Sequence, residues 1–347
     1  MKRAIRWFLV ALSVLLATSV AAAVWLWNDP ARAFALAMAA GHANAGVTER
    51  TVAIDGHEWR VLDTDPQAAG ETASDAPPAE AGSSSAEAGA SSAEAGSSPA
   101  GARRTALVLH GLGTSAEAMM SVAPILRETH RVVIPDLPGF GEHAMHGDRP
   151  HDWRLYIDEI ERFRVHERLG AVDVVGTSMG GAFAAAYAAT YPASVRRVVL
   201  LSPAGVVAPR QNDFMKRVAA GEIPLDIRDD ASFEEVMRLN FPNPPEMPAP
   251  IRRAFIGRAL ERRDALMRII EDLRPFLVGG VQPMLPAIKA PTLVLYGSLD
   301  QLTDPSMIEV WRAGLPDFRG QVLEGAGHVV LYDRLREVAG EMRAFLR

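Results

Sequence analysis

Ser178 stands in Gly176-Thr177-Ser178-Met179-Gly180, between the largely apolar run Ala171–Gly176 and the alanine-rich run Gly180–Pro192. The first run reads as a strand and the second as a helix ended before proline. A serine held between them is either an ordinary turn residue or a nucleophile, and the G-x-S-x-G spacing favours the nucleophile. Side chains two positions either side of the serine would collide in so sharp a turn. Small residues there leave the hydroxyl exposed at the C-terminal edge of the strand. The helix that follows directs its positive end at the hydroxyl, which favours negative charge there.

A serine hydroxyl is inert without a base. Of the nine histidines only His328 follows Ser178, directly after Glu324-Gly325-Ala326-Gly327. The chain order serine, acid, histidine therefore selects His328 as the base. The base in turn needs a carboxylate to orient its ring and balance the imidazolium. Asp300, in the stretch VLYGSLDQLTD just past a strand end, is the candidate acid. Asp304 is the rival, better placed to cap a helix beginning at Pro305. The preceding strand ends in Leu200-Leu201-Ser202-Pro203, with no carboxylate. An anionic tetrahedral intermediate also needs two backbone donors. One is the N–H of Met179, next to the nucleophile. The other is the N–H of Leu112, in the His110-Gly111-Leu112-Gly113 turn that follows another strand. This constellation performs nucleophilic acyl transfer and calls for no cofactor and no metal. Asp136, in the loop PDLPGFG, reads as a residue that orders that loop.

The elements that must hold these residues alternate. Strands are expected over Thr105–Gly111, from His130, over Ala171–Gly176 and Val195–Pro203, then over Pro291–Gly297 and Gly320–Gly327. Helices are expected over Trp153–Gly170, Gly180–Pro192 and Tyr332–Phe345. Such alternation implies an α/β fold, a mostly parallel sheet flanked by helices. Ahead of it, Thr51–Asp63 reads as two short strands around the Asp55-Gly56 turn, and residues 30–48 as a helix. The rhythm breaks between Gly205 and Lys289, where several helices and the proline-rich NFPNPPEMPAP form an inserted helical cap. Its Phe214, Phe233, Met237, Phe255, Met267 and Phe276 are either ordinary cap core or the lining of an acyl site. The arginine-rich run Ile251–Phe276 reads as a helix that is either solvated or laid on an anionic membrane.

Composition bounds the partners. The 347 residues carry a net charge of −6 and no cysteine. Acidity argues against nucleic acid, and the missing cysteines remove disulfides, thiolate nucleophiles and cysteine-ligated zinc. Thr64–Ala102 holds six acids, no base and no large apolar residue, and repeats SSAEAGA as SSAEAGS. It cannot bury enough apolar area to fold and is expected to be disordered. At the start of the chain, Lys2, Arg3 and Arg6 precede the uncharged run Phe8–Trp27, with tryptophans at both ends. The length and flanks fit a single membrane span with the N-terminus in the cytoplasm and the body periplasmic or extracellular. The rival is a cleaved signal sequence ending near Ala21–Ala23. The expected organisation is an anchor or signal sequence over 1–29, a helix and first strands over 30–63, and the low-complexity insertion over 64–103. The core follows over 104–205, the cap over 206–288 and core again over 289–347.

The ordered succession LVLHGLG, VVIPDLPGFG, VVGTSMGG, LVLYGSLD and GAGH resembles the α/β-hydrolase fold from Thr105 to the end of the chain. Within that superfamily, GTSMGG, AATYP, LLSPAGV and the cap segment DFMKRV with IPLD resemble the membrane-anchored monoacylglycerol lipases. The resemblance implies a cofactor-free serine hydrolase that cleaves a fatty acyl ester, a small-molecule ester or lipid as substrate, and a membrane as partner through the N-terminal segment. It implies Ser178 as nucleophile, Asp300 as acid, His328 as base, and Leu112 and Met179 as oxyanion donors. The low-complexity insertion departs from the family pattern but precedes the catalytic core. Two other readings use the same residues: a general carboxylesterase, and a carbon–carbon bond hydrolase of the same fold. A non-catalytic binding module would not need the complete set.

Overall fold

The computed structural model describes residues 29–69, 103–141, 143 and 150–347. The apolar run Phe8–Trp27 and most of the low-complexity run, two segments singled out above, lie outside the described residues. Among the described residues no helix is long and apolar enough to cross a membrane.

Among the described residues eight strands form one sheet: β1 Thr48–Ile54, β2 His57–Asp63, β3 Arg104–Leu109, β4 His130–Pro135, β5 Val172–Thr177, β6 Val195–Leu201, β7 Thr292–Gly297 and β8 Phe318–Leu323. Their order is β1-β2-β4-β3-β5-β6-β7-β8. From β4 to β8 every pairing is parallel, while β1 with β2 and β2 with β4 are antiparallel. The hairpin at Asp55-Gly56 supplies the antiparallel edge.

The central strands read as unbroken apolar runs because both faces are covered. Alternate residues enter two separate cores. Leu107, Leu109, Val174, Val198, Leu200, Val294 and Tyr296 face one, and Ala106, Val108, Val175, Val199, Leu201, Leu293 and Leu295 face the other. Each fully buried valine or leucine contributes about 1.5–3 kcal/mol.

The helices are α1 Pro30–Ala45, α2 Val122–Leu126, α3 Trp153–His166, α4 Met179–Thr190, α5 Asp213–Ala219, α6 Asp230–Asn240, α7 Ala249–Glu261, α8 Arg263–Pro275, α9 Met307–Gly314, α10 Val330–Asp333 and α11 Leu335–Leu346. On the first face pack α3 through Ile160 and Phe163, α4 through Phe183 and Tyr187, and α9 through Trp311. On the second pack α2 and α11, through Leu126, Val338 and Met342. Asp152 starts α3, its carboxylate accepting the N–H of Leu155 at 3.0 Å. Helix α4 is buried almost all round, and its alanines let it lie close to the sheet.

The segment between β6 and β7 leaves and returns on neighbouring strands and carries α5 to α8. Three expectations about helices change. Ile251–Phe276 is two helices, α7 and α8, with the corner at Arg262 and Arg263 paired to Asp226 through two bonds of 2.7 and 2.8 Å. The last helix is likewise divided, into α10 and α11. The helix expected from Pro305 begins at Met307, where Asp304 accepts the N–H of Ser306 at 2.8 Å.

Candidate active site

Strand β5 ends at Thr177, α4 begins at Met179, and Ser178 joins them with φ 53 and ψ −119. A non-glycine residue rarely adopts such angles, and holding one there costs about 1–3 kcal/mol. The surroundings impose it. Ser178 N donates to Leu201 O at 3.0 Å, and Ser178 O accepts from Ala182 and Ala204 N–H, both at 3.1 Å. The flanking glycines permit the closeness: a Cβ on Gly176 would lie 2.2 Å from Gly180 O, and one on Gly180 2.3 Å from Leu109 O. The Ser178 hydroxyl does not cap the helix, and the residue is half-buried. Helix geometry gives the N–H of Met179 no intrahelical acceptor.

Two strands away, the turn after β7 and the turn after β8 are laced together. Leu299 N donates to Ala326 O at 2.8 Å and Ser298 N to Leu323 O at 2.9 Å. This brings Asp300 Oδ2 to 2.8 Å from His328 Nδ1, with both residues buried. A carboxylate accepts and does not donate, so Nδ1 carries the proton and Nε2 is left as the basic nitrogen. Asp304, the rival acid, instead faces Ser306 and, at 3.4 Å, Arg210. A chain of close contacts links this pair to the serine turn. Thr303 Oγ1 reaches Ser202 O at 3.2 Å, Ser202 N donates to Leu295 O at 2.7 Å, and Ser178 N holds the neighbouring Leu201 O.

The turn after β3 completes the cluster. A Cβ on Gly111 would lie 3.5 Å from Ser178 Cβ, so this turn passes beside the serine. Burial lowers the His110 pKa and keeps the ring neutral. Its Nε2 accepts the N–H of Leu137 at 3.0 Å, which puts the proton on Nδ1, 2.9 Å from Gly111 O. Thr114 Oγ1 donates to the same carbonyl at 2.8 Å. The Gly111–Leu112 peptide is trans, so fixing its carbonyl toward His110 and Thr114 turns the Leu112 N–H to the opposite side. Asp136 orders the adjoining loop as expected, accepting Ala116 N–H at 2.8 Å and pairing with Arg60 at 3.2 Å.

Sequence reasoning did not find the contribution of the segment between β6 and β7. Asn240 O, at the end of α6, accepts His328 N–H at 3.0 Å. Asn212 Nδ2 donates to Gln301 O at 2.8 Å, and Gln301 Nε2 to Arg238 O at 3.1 Å. Leu266 of α8 lies over the Gly113 turn, 3.6 Å from where a Cβ would be. Phe276 stacks on Trp153 at 5.4 Å and on Phe183 at 5.8 Å. Phe233 and Phe255 pack edge to face on each other at 5.6 Å, within the segment itself. Two arginines of α7 meet partners: Arg252 lies 3.2 Å from Asp230, and Arg258 lies over Phe34 at 4.9 Å.

Among the described residues one group has metal-ligand spacing, His42, Glu49 and Glu117. Arg60 already pairs with both glutamates, and its hydrogen bonds hold the Glu117 carboxyl down at about 2 against the cost of burial. A cation there would have to displace the guanidinium.

The sequence pattern of the alpha/beta hydrolase fold matches residues 107–335. Lipase 1 of Psychrobacter immobilis is 29% identical over 247 residues, 69% of this chain and 75% of that one. Monoacylglycerol lipase ABHD6 of Rattus norvegicus is 25% identical over 264 residues, 71% of this chain and 76% of that one. The crystal structure of a membrane phospholipase A superimposes with a TM-score of 0.77 at 31% identity, covering 100% of this chain and 98% of that one. With the match spanning the serine turn, both laced turns and the helical segment between β6 and β7, the chain belongs to the α/β hydrolase fold family.

Proposed function

We propose that the protein is a serine esterase of lipase type, with Ser178 as nucleophile, His328 as base, Asp300 as acid, and the N–H groups of Leu112 and Met179 as oxyanion donors. As in the lipases it resembles, its chemistry is hydrolysis of carboxylic esters. The observation that carries the assignment is the 2.8 Å contact between Asp300 Oδ2 and His328 Nδ1, which leaves Nε2 basic at the edge of the sheet where Ser178 is held out in a strained turn.

In the first half-reaction Ser178 Oγ attacks the ester carbonyl as its proton passes to His328 Nε2. The carbonyl oxygen becomes an oxyanion between the two N–H donors. The intermediate collapses, the carbon–oxygen bond to the alcohol breaks, and the alcohol leaves with the proton from Nε2. Water then attacks the acyl-enzyme, gives its proton to Nε2, and the fatty acid departs as Ser178 regains a proton.

The finer reading is a monoacylglycerol or other acylglycerol substrate, handled under the cap at 206–288 between core segments 104–205 and 289–347. The family resemblance of the cap and the lipase relatives support it. An N-terminal anchor over 1–29, with the catalytic body beyond the membrane, rests on the uncharged run Phe8–Trp27 and its basic flank. Hydrolysis of a chain-length series of monoacylglycerols beside short nitrophenyl esters tests the whole. Turnover that peaks at medium or long chains and vanishes in Ser178→Ala is expected. Turnover that survives Ser178→Ala would overturn the assignment, and turnover of short esters alone would reduce it to a general carboxylesterase. Membrane pelleting of the full chain, compared with the chain from residue 30, tests the anchor.

A further inference from the structure

Four donors converge on the Asp300 carboxylate. Oδ1 accepts the N–H groups of Leu302 and Thr303, both at 2.9 Å. Oδ2 accepts His328 Nδ1–H at 2.8 Å and the Thr303 hydroxyl at 2.7 Å. Thr303 is buried, and its oxygen also lies 3.2 Å from Ser202 O and 3.2 Å from His328 Nδ1. A hydroxyl has one proton to give. The shorter distance and the charged acceptor direct it to Asp300, because a charge-assisted bond is the stronger. A lone pair of the same oxygen is then left facing the Nδ1–H of His328.

We propose that Thr303 is a positioning residue for the acid and the base, an inference that rests on the assignment of Ser178, His328 and Asp300 above. Its hydroxyl fixes the rotation of the Asp300 carboxylate and, as a second acceptor for Nδ1–H, fixes the tilt of the His328 ring. Nε2 is thereby held toward Ser178. During turnover the mobile proton travels between Ser178, Nε2 and the leaving oxygen, and Thr303 keeps its own throughout. Without the hydroxyl, Oδ2 loses a donor that water cannot readily replace in a buried site. Oδ2 is then left with the His328 ring as its one partner while Oδ1 keeps the two turn N–H groups, and the ring orientation broadens.

The test compares Thr303→Val, which keeps the branched shape, with Thr303→Ser, which restores the hydroxyl, in the full chain. Thr303→Val is expected to lower kcat about tenfold or more with KM within about twofold, the effect of losing one bond to a charged group. The rate at which a fluorophosphonate labels Ser178 is expected to fall by the same factor, and Thr303→Ser to recover most of both. Should Thr303→Val not fold, Thr303→Ala against Thr303→Ser reads the same difference. Unchanged kcat and labelling in Thr303→Val would overturn the proposal. So would an effect on KM alone, or a loss that Thr303→Ser shares. If the wild-type chain is not labelled, or turnover survives Ser178→Ala, the assignment of the three residues fails as well, and that outcome is distinct from a labelled enzyme indifferent to Thr303.

Discussion

Asn240 O accepts the backbone N–H of His328 at 3.0 Å, so the last turn of α6 holds the residue assigned as base. A Cβ placed on Gly327 would lie 2.5 Å from Pro242 Cδ and 2.9 Å from Asn240 O. Gly327→Ala must therefore push the chain at Asn240–Pro242 away from His328. We expect kcat/KM to fall about tenfold or more while the protein still melts cooperatively, since overpacking of this kind costs about 1–3 kcal/mol. Initial rates beside a thermal melt check both halves.

The strained serine turn predicts a trade between stability and activity. Ser178→Gly should abolish turnover yet raise stability by ~1 kcal/mol, because glycine accepts φ 53 and ψ −119 without the side-chain penalty. Ser178→Ala should abolish turnover without that gain. Denaturant melts of the two variants against wild type make the comparison, and equal midpoints for glycine and alanine would refute it.

The Gly111 carbonyl is held from two sides, by His110 Nδ1 at 2.9 Å and Thr114 Oγ1 at 2.8 Å. Thr114→Val removes one of them and loosens the peptide that carries the Leu112 N–H. Steady-state kinetics should show kcat reduced about threefold to tenfold with little change in KM, since the oxyanion exists only beyond the ground state.

Stability should fall below neutral pH because of buried histidines. Burial lowers the pKa of His110, His143 and His151 from the ordinary 6.5. Above pH 6.5 neither the folded nor the unfolded chain protonates these rings, and they contribute no pH dependence. Below it the unfolded chain binds protons first, so stability declines as pH falls. Fully buried His110 alone sets a slope of at most about 1.4 kcal/mol per pH unit. Glu117, held at about 2 from an ordinary 4.5, adds its loss only below pH 4.5. Urea melts between pH 4.5 and 7.5 should show the histidine slope, and it should be shallower in His110→Gln.

The sheet and the serine turn were legible because local chemistry and tertiary role agree there. Apolar runs make β3 to β7, and small residues around Ser178 have one structural use. That Asp300 rather than Asp304 meets His328 was legible from its spacing past a strand end. Other features depend on partners distant in sequence. The break between α7 and α8 has no glycine or proline at Arg262 and is set by the Arg263 pair with Asp226. Strand β8 ends at Leu323 rather than Gly327, and the chain turns through Gly325 with φ 70 to reach His328. Thr303 left a faint signal. An aspartate whose side chain accepts the N–H groups two and three residues on is a local turn motif, and a hydroxyl at the third position can close it. Nothing local marks Asn240, whose contribution is a main-chain carbonyl.

The two ends of the cap segment emerge side by side, because β6 and β7 are adjacent rungs of the sheet. The segment is in that sense a cassette. A different one can be spliced between the same strands without rethreading any part of the sheet. The graft has one fixed obligation at its seam: it must bring a carbonyl to the His328 N–H that Asn240 now serves.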